Sequence, residues 1–253
     1  MKRKTKFIGI GAQKGGVGKS SITTLLAGYL YYTQGYHLGV IDCDYPQHSV
    51  LGLRQRDRQE LEANPQKMEA ATNHFKQLGR KSYPIIAATA ETAILEAEKL
   101  IQISIDAPDI IFFDLPGSID VPGVLALSLE LDYIFSPIFP DMQTLESALS
   151  YVQLLRDYGV MKADMPLKKV CLFWNRVDGR EKTALIDLYN QFLREEGFVV
   201  LATFLPNSVR FNKEATHNDG AVFRSTYYSP DKRLLKGSNI EELAFEITQI
   251  INE

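Results

Sequence analysis

At 253 residues, with 45% hydrophobic and 23% charged side chains, the chain is long enough to bury a large core, and one α/β domain spanning 1–253 is the expected organisation. A net charge of −3 carries no global polyanion-binding signature. The two cysteines, Cys43 and Cys171, sit in apolar runs without metal-ligand spacing, which leaves out a zinc or iron–sulfur framework and points to buried free thiols in a reducing compartment.

The basic start, Met1 to Lys6, is followed by only Phe7-Ile8-Gly9-Ile10-Gly11 before the chain turns polar. That run is too short for a signal peptide or a membrane span, so a cytoplasmic protein without a membrane partner is expected. The same run reads as a buried strand. It passes into Gln13-Lys14-Gly15-Gly16-Val17-Gly18-Lys19-Ser20-Ser21, and then into Ile22, Leu25, Leu26, Tyr29 and Leu30, an i, i+3, i+4, i+7, i+8 helical spacing with Gly35 placed to end it. Gly15, Gly16 and Gly18 permit left-handed dihedrals and close main-chain approach, so successive N–H groups can converge on phosphate oxygens at a helix start that is itself partly positive. In such a loop Lys19 extends along the β- and γ-phosphates, the Ser20 hydroxyl is a Mg²⁺ ligand, and Ser21 lies near the α-phosphate. The strict phosphate-loop pattern would place its first glycine at position 13; Gln13 stands there, and a second lysine, Lys14, opens the loop.

Leu38 to Ile41 forms the next strand and delivers Asp42 and Asp44 at its carboxyl end; adjacent-but-one positions on a strand end share no obvious common task, and two solvated capping aspartates remain the plain alternative. Residues 54–82 are polar with both charge signs and read as surface helix and loop without a motif. Pro84 to Ala88 reads as a short strand and 91–103 as a helix. Ile110 to Phe113 is a central buried strand ending in Asp114-Leu115-Pro116-Gly117. A strand at 133–138 and a helix at 144–158 follow, then a strand at 170–174, a helix at 183–196 closed by Gly197, and a strand at 198–204. A capping box, Ser238 to Glu241, is expected to open a last helix that buries Ile240, Leu243, Ala244, Ile247 and Ile251. Strands separated by helices imply a doubly wound, mostly parallel sheet with helices on both faces and ligands at the strands' carboxyl ends.

Lys-Gly-Gly-x-Gly-Lys-Ser at 14–20 resembles the signature of the ParA/MinD family of P-loop ATPases, and the likeness covers most of the chain, including 206–223. The resemblance implies ATP and Mg²⁺ as ligands, Asp44 orienting the attacking water, Asp42 holding waters of the Mg²⁺ shell, and Asp114 as the acid bonded to a Mg²⁺-bound water. It gives Lys14 a role across an ATP-dependent homodimer, on the partner's phosphates; a solvated loop lysine is the alternative. Asn175, after the strand at 170–174, is similar to the family's base-contacting asparagine, although Asn175-Arg176-Val177-Asp178 is also one residue from a guanine-reading motif. Pro206 and Asn207 are similar to the second adenine-contacting loop, where a simple turn is the competing reading. The family's usual Asp-Thr/Ala-Pro-Pro is replaced here by Asp114-Leu115-Pro116-Gly117.

The segment from Pro206 to Gly237 holds six basic residues against three acidic ones. Its Arg210, Lys213, Arg224, Lys232 and Arg233 are the candidate contacts to the backbone of double-stranded DNA. The short ParA-like type then implies a partition or positioning ATPase, stimulated by a ParB-like or other partner; a narrower likeness is to ParA-like proteins of conjugative elements. A MinD-like membrane-positioning ATPase would need a basic amphipathic terminal helix, and 239–252 carries Glu241, Glu242 and Glu246 without lysine or arginine. An ATP-dependent ligase or synthetase of the same fold is the remaining alternative, and an iron–sulfur carrier lacks cysteine ligands.

Overall fold

A computed structural model describes residues 5–178, 183–214 and 221–253. Strands β1 (Lys6–Ile10), β2 (Leu38–Asp42), β3 (Ile85–Ala87), β4 (Ile110–Asp114), β5 (Tyr133–Ile138), β6 (Lys169–Trp174) and β7 (Val199–Val200) form one sheet in the order β3-β2-β4-β1-β5-β6-β7. Every pairing is parallel. The expected doubly wound sheet is therefore the fold, and its alternation explains why the strands read as unbroken apolar runs. Ile8, Ile10, Val40, Phe112 and Phe135 face one buried cluster, while Ile41, Ile111, Phe113 and Ile134 face the other.

Helix α1 (Lys19–Tyr32) lies on the first face with the short α8 (Lys232–Leu235) and α9 (Ile240–Asn252); α4 (Ala93–Ile103), α5 (Val124–Glu130), α6 (Met142–Leu155) and α7 (Thr183–Glu195) cover the second. The apolar spacing of α1 predicts one buried stripe, yet Ile22 through Tyr32 are all buried. A late loop wraps the outer side: the Tyr32 hydroxyl donates to Thr226 O at 2.8 Å, and a Cβ on Gly28 would stand 3.2 Å from Tyr228 O.

The polar stretch 54–82 is two helices, α2 (Ser49–Ala63) and α3 (Pro65–Leu78). The break is local chemistry: the Asn64 side chain accepts from Gln66 N and Lys67 N, and Pro65 occupies the first turn of α3, where its missing N–H costs nothing. The buried side of α2 carries Val50, Leu53, Asp57 and Leu61. Asp57 Oδ2 accepts from Thr226 N at 2.7 Å, Thr226 Oγ1 at 2.8 Å and Ser225 Oγ at 3.1 Å. Arg54, between the rings of Tyr83 and Tyr227, donates to Thr226 Oγ1, Tyr83 O and Ser82 Oγ.

Three other expectations change. The strand expected at 198–204 pairs only at Val199–Val200, because the Glu246 carboxylate accepts from Ala202 N and Thr203 N in place of a neighbouring strand. Helix α6 gives way after Leu155 to a π-helical turn, Arg156–Val160. At α9, Asn239 adopts a left-handed conformation (φ 60°) and Ser238 Oγ accepts from Ile240 N at 3.2 Å, a tight turn that replaces the capping box. Helix α5 was not foreseen. Cys43 and Cys171 are free and buried, and among the described residues no helix is long and apolar enough to cross a membrane.

Candidate functional site

Strand β1 is central, between β4 and β5, and the loop that leaves its carboxyl end turns sharply into α1. Gly18 takes φ 89° at the helix cap, a left-handed conformation that side chains resist, and a Cβ there would also stand 3.2 Å from Asn175 Nδ2. Two residues after β6 hold the loop from outside. Asn175 Nδ2 donates to Val17 O at 2.8 Å, and Arg176 donates from Nη2 to Gly16 O at 2.9 Å with its guanidinium over the Phe139 ring. The first-turn amides of α1 have no intrahelical acceptor to satisfy. Gly15, Gly16, Gly18, Lys19, Ser20 and Ser21 line a cavity of about 650 Å³.

Register brings the acids to the same end: Asp114 pairs with Ile10 on one side and with Asp42 on the other. Asp114 is fully buried, and burial raises its carboxyl to about 7, with Asp42 and Asp44 pushing the same way and Ser20 and Lys19 opposing. Thr23 Oγ1 donates to its Oδ1 at 3.3 Å, while its Oδ2 has no hydrogen-bond partner. An orphaned buried carboxylate oxygen beside the Ser20 hydroxyl fits a Mg²⁺ site, since this hard cation takes one or two protein oxygens and fills the rest from phosphates and water. Among the described residues no cluster of three His, Cys, Asp or Glu is placed to cage a metal alone. Lys19 is only 7% exposed; burial lowers its pKa, and Asp114 and Asp44 work against that shift. Asp44 lines the cavity, its carboxyl raised by burial and drawn back by Lys19.

Asp42, expected to hold waters of a metal shell, also has a structural task. Its Oδ2 accepts from Val50 N and Leu51 N, both at 2.9 Å, and its Oδ1 from Asp44 N at 3.3 Å. The carboxylate is committed to the amino end of α2, where it offsets the helix dipole and fixes α2 against Asp44.

On the far side of Ser21, Asn175, Pro206 and Asn207 come together with Gly18, Ile22 and Phe211 around a second cavity of about 270 Å³. Asn175 Oδ1 accepts from Arg176 N at 2.9 Å, so its amide keeps one donor and one acceptor position beyond the loop. Val177 bridges to Pro206, and Asn207 N donates to Val177 O at 2.8 Å. Lys14 is half-buried and lies outside the residues that line the larger cavity.

The five basic residues expected on a DNA surface separate. Arg210 donates from Nη1 to Leu234 O at 3.0 Å and Lys236 O at 2.7 Å, tying the chain to itself. Arg224 turns inward, into the cavity, onto Ser21 Oγ and Glu214 Oε1. Lys213 is half-buried, Lys232 is exposed, and Arg233 is exposed and paired with Asp231 at 2.9 Å. Residues 215–220 of the stretch likened to the family lie outside the described residues.

Sequence reading missed Gly117, Arg56 and Glu214. Gly117 presses on the phosphate loop: a Cβ there would be 3.0 Å from Gly15 Cα and 3.1 Å from Gly15 N. Glu214 lies under Arg224 and pairs with Arg56 of α2 at 3.2 Å; burial pushes its carboxyl up, but the two arginines outweigh that and hold it below the usual range. One signal was available for α2: Asp57 occupies an otherwise apolar position of the buried series 50, 53, 57, 61.

No curated protein matches the chain. Solved structures do. MinD, a cell division protein of Aquifex aeolicus, is 15% identical over 98% of both chains with a TM-score of 0.60. A putative plasmid partition protein of Borrelia burgdorferi bound to AMPPNP is 18% identical over 96% of this chain and 100% of its own, with a TM-score of 0.58. Cobyrinic acid a,c-diamide synthase of Mycobacterium smegmatis with bound ADP and magnesium is 19% identical over 84% of this chain and 89% of its own, with a TM-score of 0.54. At these identities the likeness is one of fold, but the model of the CobQ/CobB/MinD/ParA nucleotide binding domain matches residues 8–221, from β1 through the phosphate loop to the late loop. Loop, strand-end acids and family model agree, and the chain belongs to the CobQ/CobB/MinD/ParA nucleotide-binding family.

Proposed function

We propose that this chain is a Mg²⁺-dependent ATPase of ParA type that dimerises on ATP and in that state engages double-stranded DNA without sequence preference, with hydrolysis stimulated by a ParB-like or other partner. The observation that carries the reading is the convergence of Lys19 and Asp44 with a glycine-rich loop around a cavity of ligand size, at the carboxyl ends of β1, β2 and β4, with Asp114 buried at the end of β4. Phosphoryl transfer to water requires an aligned nucleophile and compensation of charge on the phosphate oxygens. Lys19 and the first-turn amides of α1 provide compensation from one chain, and Asp44 on the cavity wall is suited to orient the water. Mg²⁺ held by Ser20, with Asp114 bonded to its water, would supply further positive charge at the phosphates.

Asn175, Pro206 and Asn207, gathered beside Gly18 and Ser21, support a base site contiguous with the phosphate site. The bound AMPPNP and bound ADP of the two similar structures favour an adenine nucleotide. Lys14, next to the loop yet outside the cavity lining, is suited to reach a second subunit. For DNA, Lys213 and Lys232 remain as candidate phosphate contacts, together with the exposed Arg233 if a phosphate displaces Asp231 from it, since Arg210 and Arg224 are engaged inside the chain.

The test is ATP turnover and oligomeric state with and without Mg·ATP, in the presence of double-stranded DNA or anionic liposomes. DNA binding that appears with ATP, weakens steeply with salt and is lost on Lys14→Ala supports the reading. Liposome binding favours a membrane-positioning role, and an ATP-insensitive monomer that binds neither favours a synthetase.

A further inference from the structure

The side chain of Arg224 comes from the late loop, more than two hundred residues after the phosphate loop, and enters the cavity through its wall. One end of its guanidinium bonds Ser21 Oγ in the first turn of α1, and the other bonds Glu214 Oε1. Its Nε is buried without a partner. Glu214, 6% exposed, is shared with Arg56, whose Nη2 stands 3.2 Å from Oε2. Two guanidiniums therefore divide one carboxylate, leaving one positive charge in excess on a polar wall of a cavity that Lys19 also lines. An arginine drawn out of water retains its hydrogen-bonding demand, and a partly shared carboxylate leaves that demand incompletely met.

Ser21 fixes what that charge would meet. Ser21 lines both the phosphate cavity and the second cavity beside Asn175, so it stands where the phosphate nearest the nucleoside would lie, and Arg224 is seated on its hydroxyl. We infer that Arg224 binds the α-phosphate of the nucleotide from within its own subunit, and that Glu214 is the internal anion that holds the guanidinium when no phosphate competes for it. This rests on the nucleotide reading given above and extends it to a residue outside the phosphate loop. Because the α-phosphate is common to nucleoside di- and triphosphates, Arg224 contributes to both alike. Exchange of its partner returns Glu214 to Arg56 alone. The contact of the late loop with α2 thus changes when nucleotide binds, and α2 is the helix that Asp42 anchors beside Asp44.

The experiment is calorimetric titration of the full chain with Mg·ADP and Mg·ATP for wild type, Arg224→Ala, Arg224→Lys and Glu214→Gln, with thermal melting of each variant alone. Arg224→Ala is expected to bind both nucleotides about tenfold to a hundredfold more weakly, the scale of one charge-assisted hydrogen bond. Arg224→Lys should fall between it and wild type, because a point charge replaces the planar fork. Glu214→Gln removes the competitor and should bind severalfold more tightly. The opposite signs carry the decision: if Arg224 only braces Glu214, both substitutions weaken binding together, and that result overturns the inference, as does wild-type affinity in Arg224→Ala. Should Arg224→Ala not fold, Arg224→Lys and Glu214→Gln moving in opposite directions still support it, and moving in the same direction overturn it. Absence of nucleotide binding by wild type would refute the nucleotide reading and this inference together, whereas wild-type binding with unaffected variants refutes this inference alone.

Discussion

Replacing Gly117 by alanine adds a single methyl group at the contact between the loop after β4 and the phosphate loop. The new Cβ would stand 3.0 Å from Gly15 Cα, 3.1 Å from Gly15 N and 3.5 Å from Lys14 C. Favourable carbon contacts lie near 3.5–4.0 Å, so one loop must retreat by about 0.5–1 Å. The atoms met are backbone on the far side, and no side-chain end can swing away. Gly117 is not among the residues of positive φ, so dihedral strain does not enter and the effect is steric alone. Overpacking of this kind costs about 1–3 kcal/mol. If that cost is felt by the nucleotide-binding form of the phosphate loop, Mg·ADP affinity falls by about 5- to 150-fold in a calorimetric titration. Gly52→Ala is the control on the same cavity wall: its Cβ meets only Arg56 Nη1 at 3.6 Å, and alanine within a helix is favoured over glycine by about 0.5–1 kcal/mol. Affinity in Gly117→Ala within twofold of wild type would refute the coupling of the two loops.

Asp57→Ala leaves the Ser225 and Thr226 donors without their acceptor, at a cost of about 3 kcal/mol, and a chain of this length should melt about 6–12 °C lower in calorimetry. Against the effect of burial, Arg224 and Arg56 hold the Glu214 carboxyl below the usual glutamate range, so its ion pairs stabilise the fold above that range and are lost as pH falls through the lower, folded-state pKa. Melting of wild type and Glu214→Gln should accordingly differ at pH 7 and converge as acidification carries the carboxylate below the usual glutamate range; a constant gap would refute the assignment. Lys14→Ala should retain nucleotide binding in titration but remain monomeric with ATP in light scattering, since Lys14 lies outside the cavity lining. ATP-driven dimerisation at wild-type strength would remove its role across the interface.

The parts legible in the sequence are those dictated by near neighbours. A glycine-rich turn between an apolar strand and a 3.6-period helix specifies its own backbone, and Asp114 announces itself as the acid at the end of an unbroken apolar strand. The parts that escaped depend on partners far along the chain. Arg54 and Asp57 look like surface charges on a polar helix until Thr226, 172 and 169 residues away, provides their acceptor and donors. Arg224 reads as one more member of a basic stretch, while its partner Ser21 is 203 residues distant. The capping bonds of Asp42 were not legible either, because the helix it caps was read only as polar surface.

These misreadings share one cause, and it is also what makes the site responsive. Burying a charge requires compensation, and in a parallel sheet the compensating groups come from crossover connections that sequence spacing does not pair. The loop around 222–228 supplies much of that compensation: it binds α1 through Tyr32, α2 through Asp57 and Arg54, and the phosphate loop's helix through Arg224. Any ligand that attracts Arg224 therefore acts on a segment already fastened to α2. Occupancy at the phosphate loop can in this way bias the helix beside Asp44, with Glu214 as the exchangeable contact and the Asp57–Thr226 bonds as the fixed one.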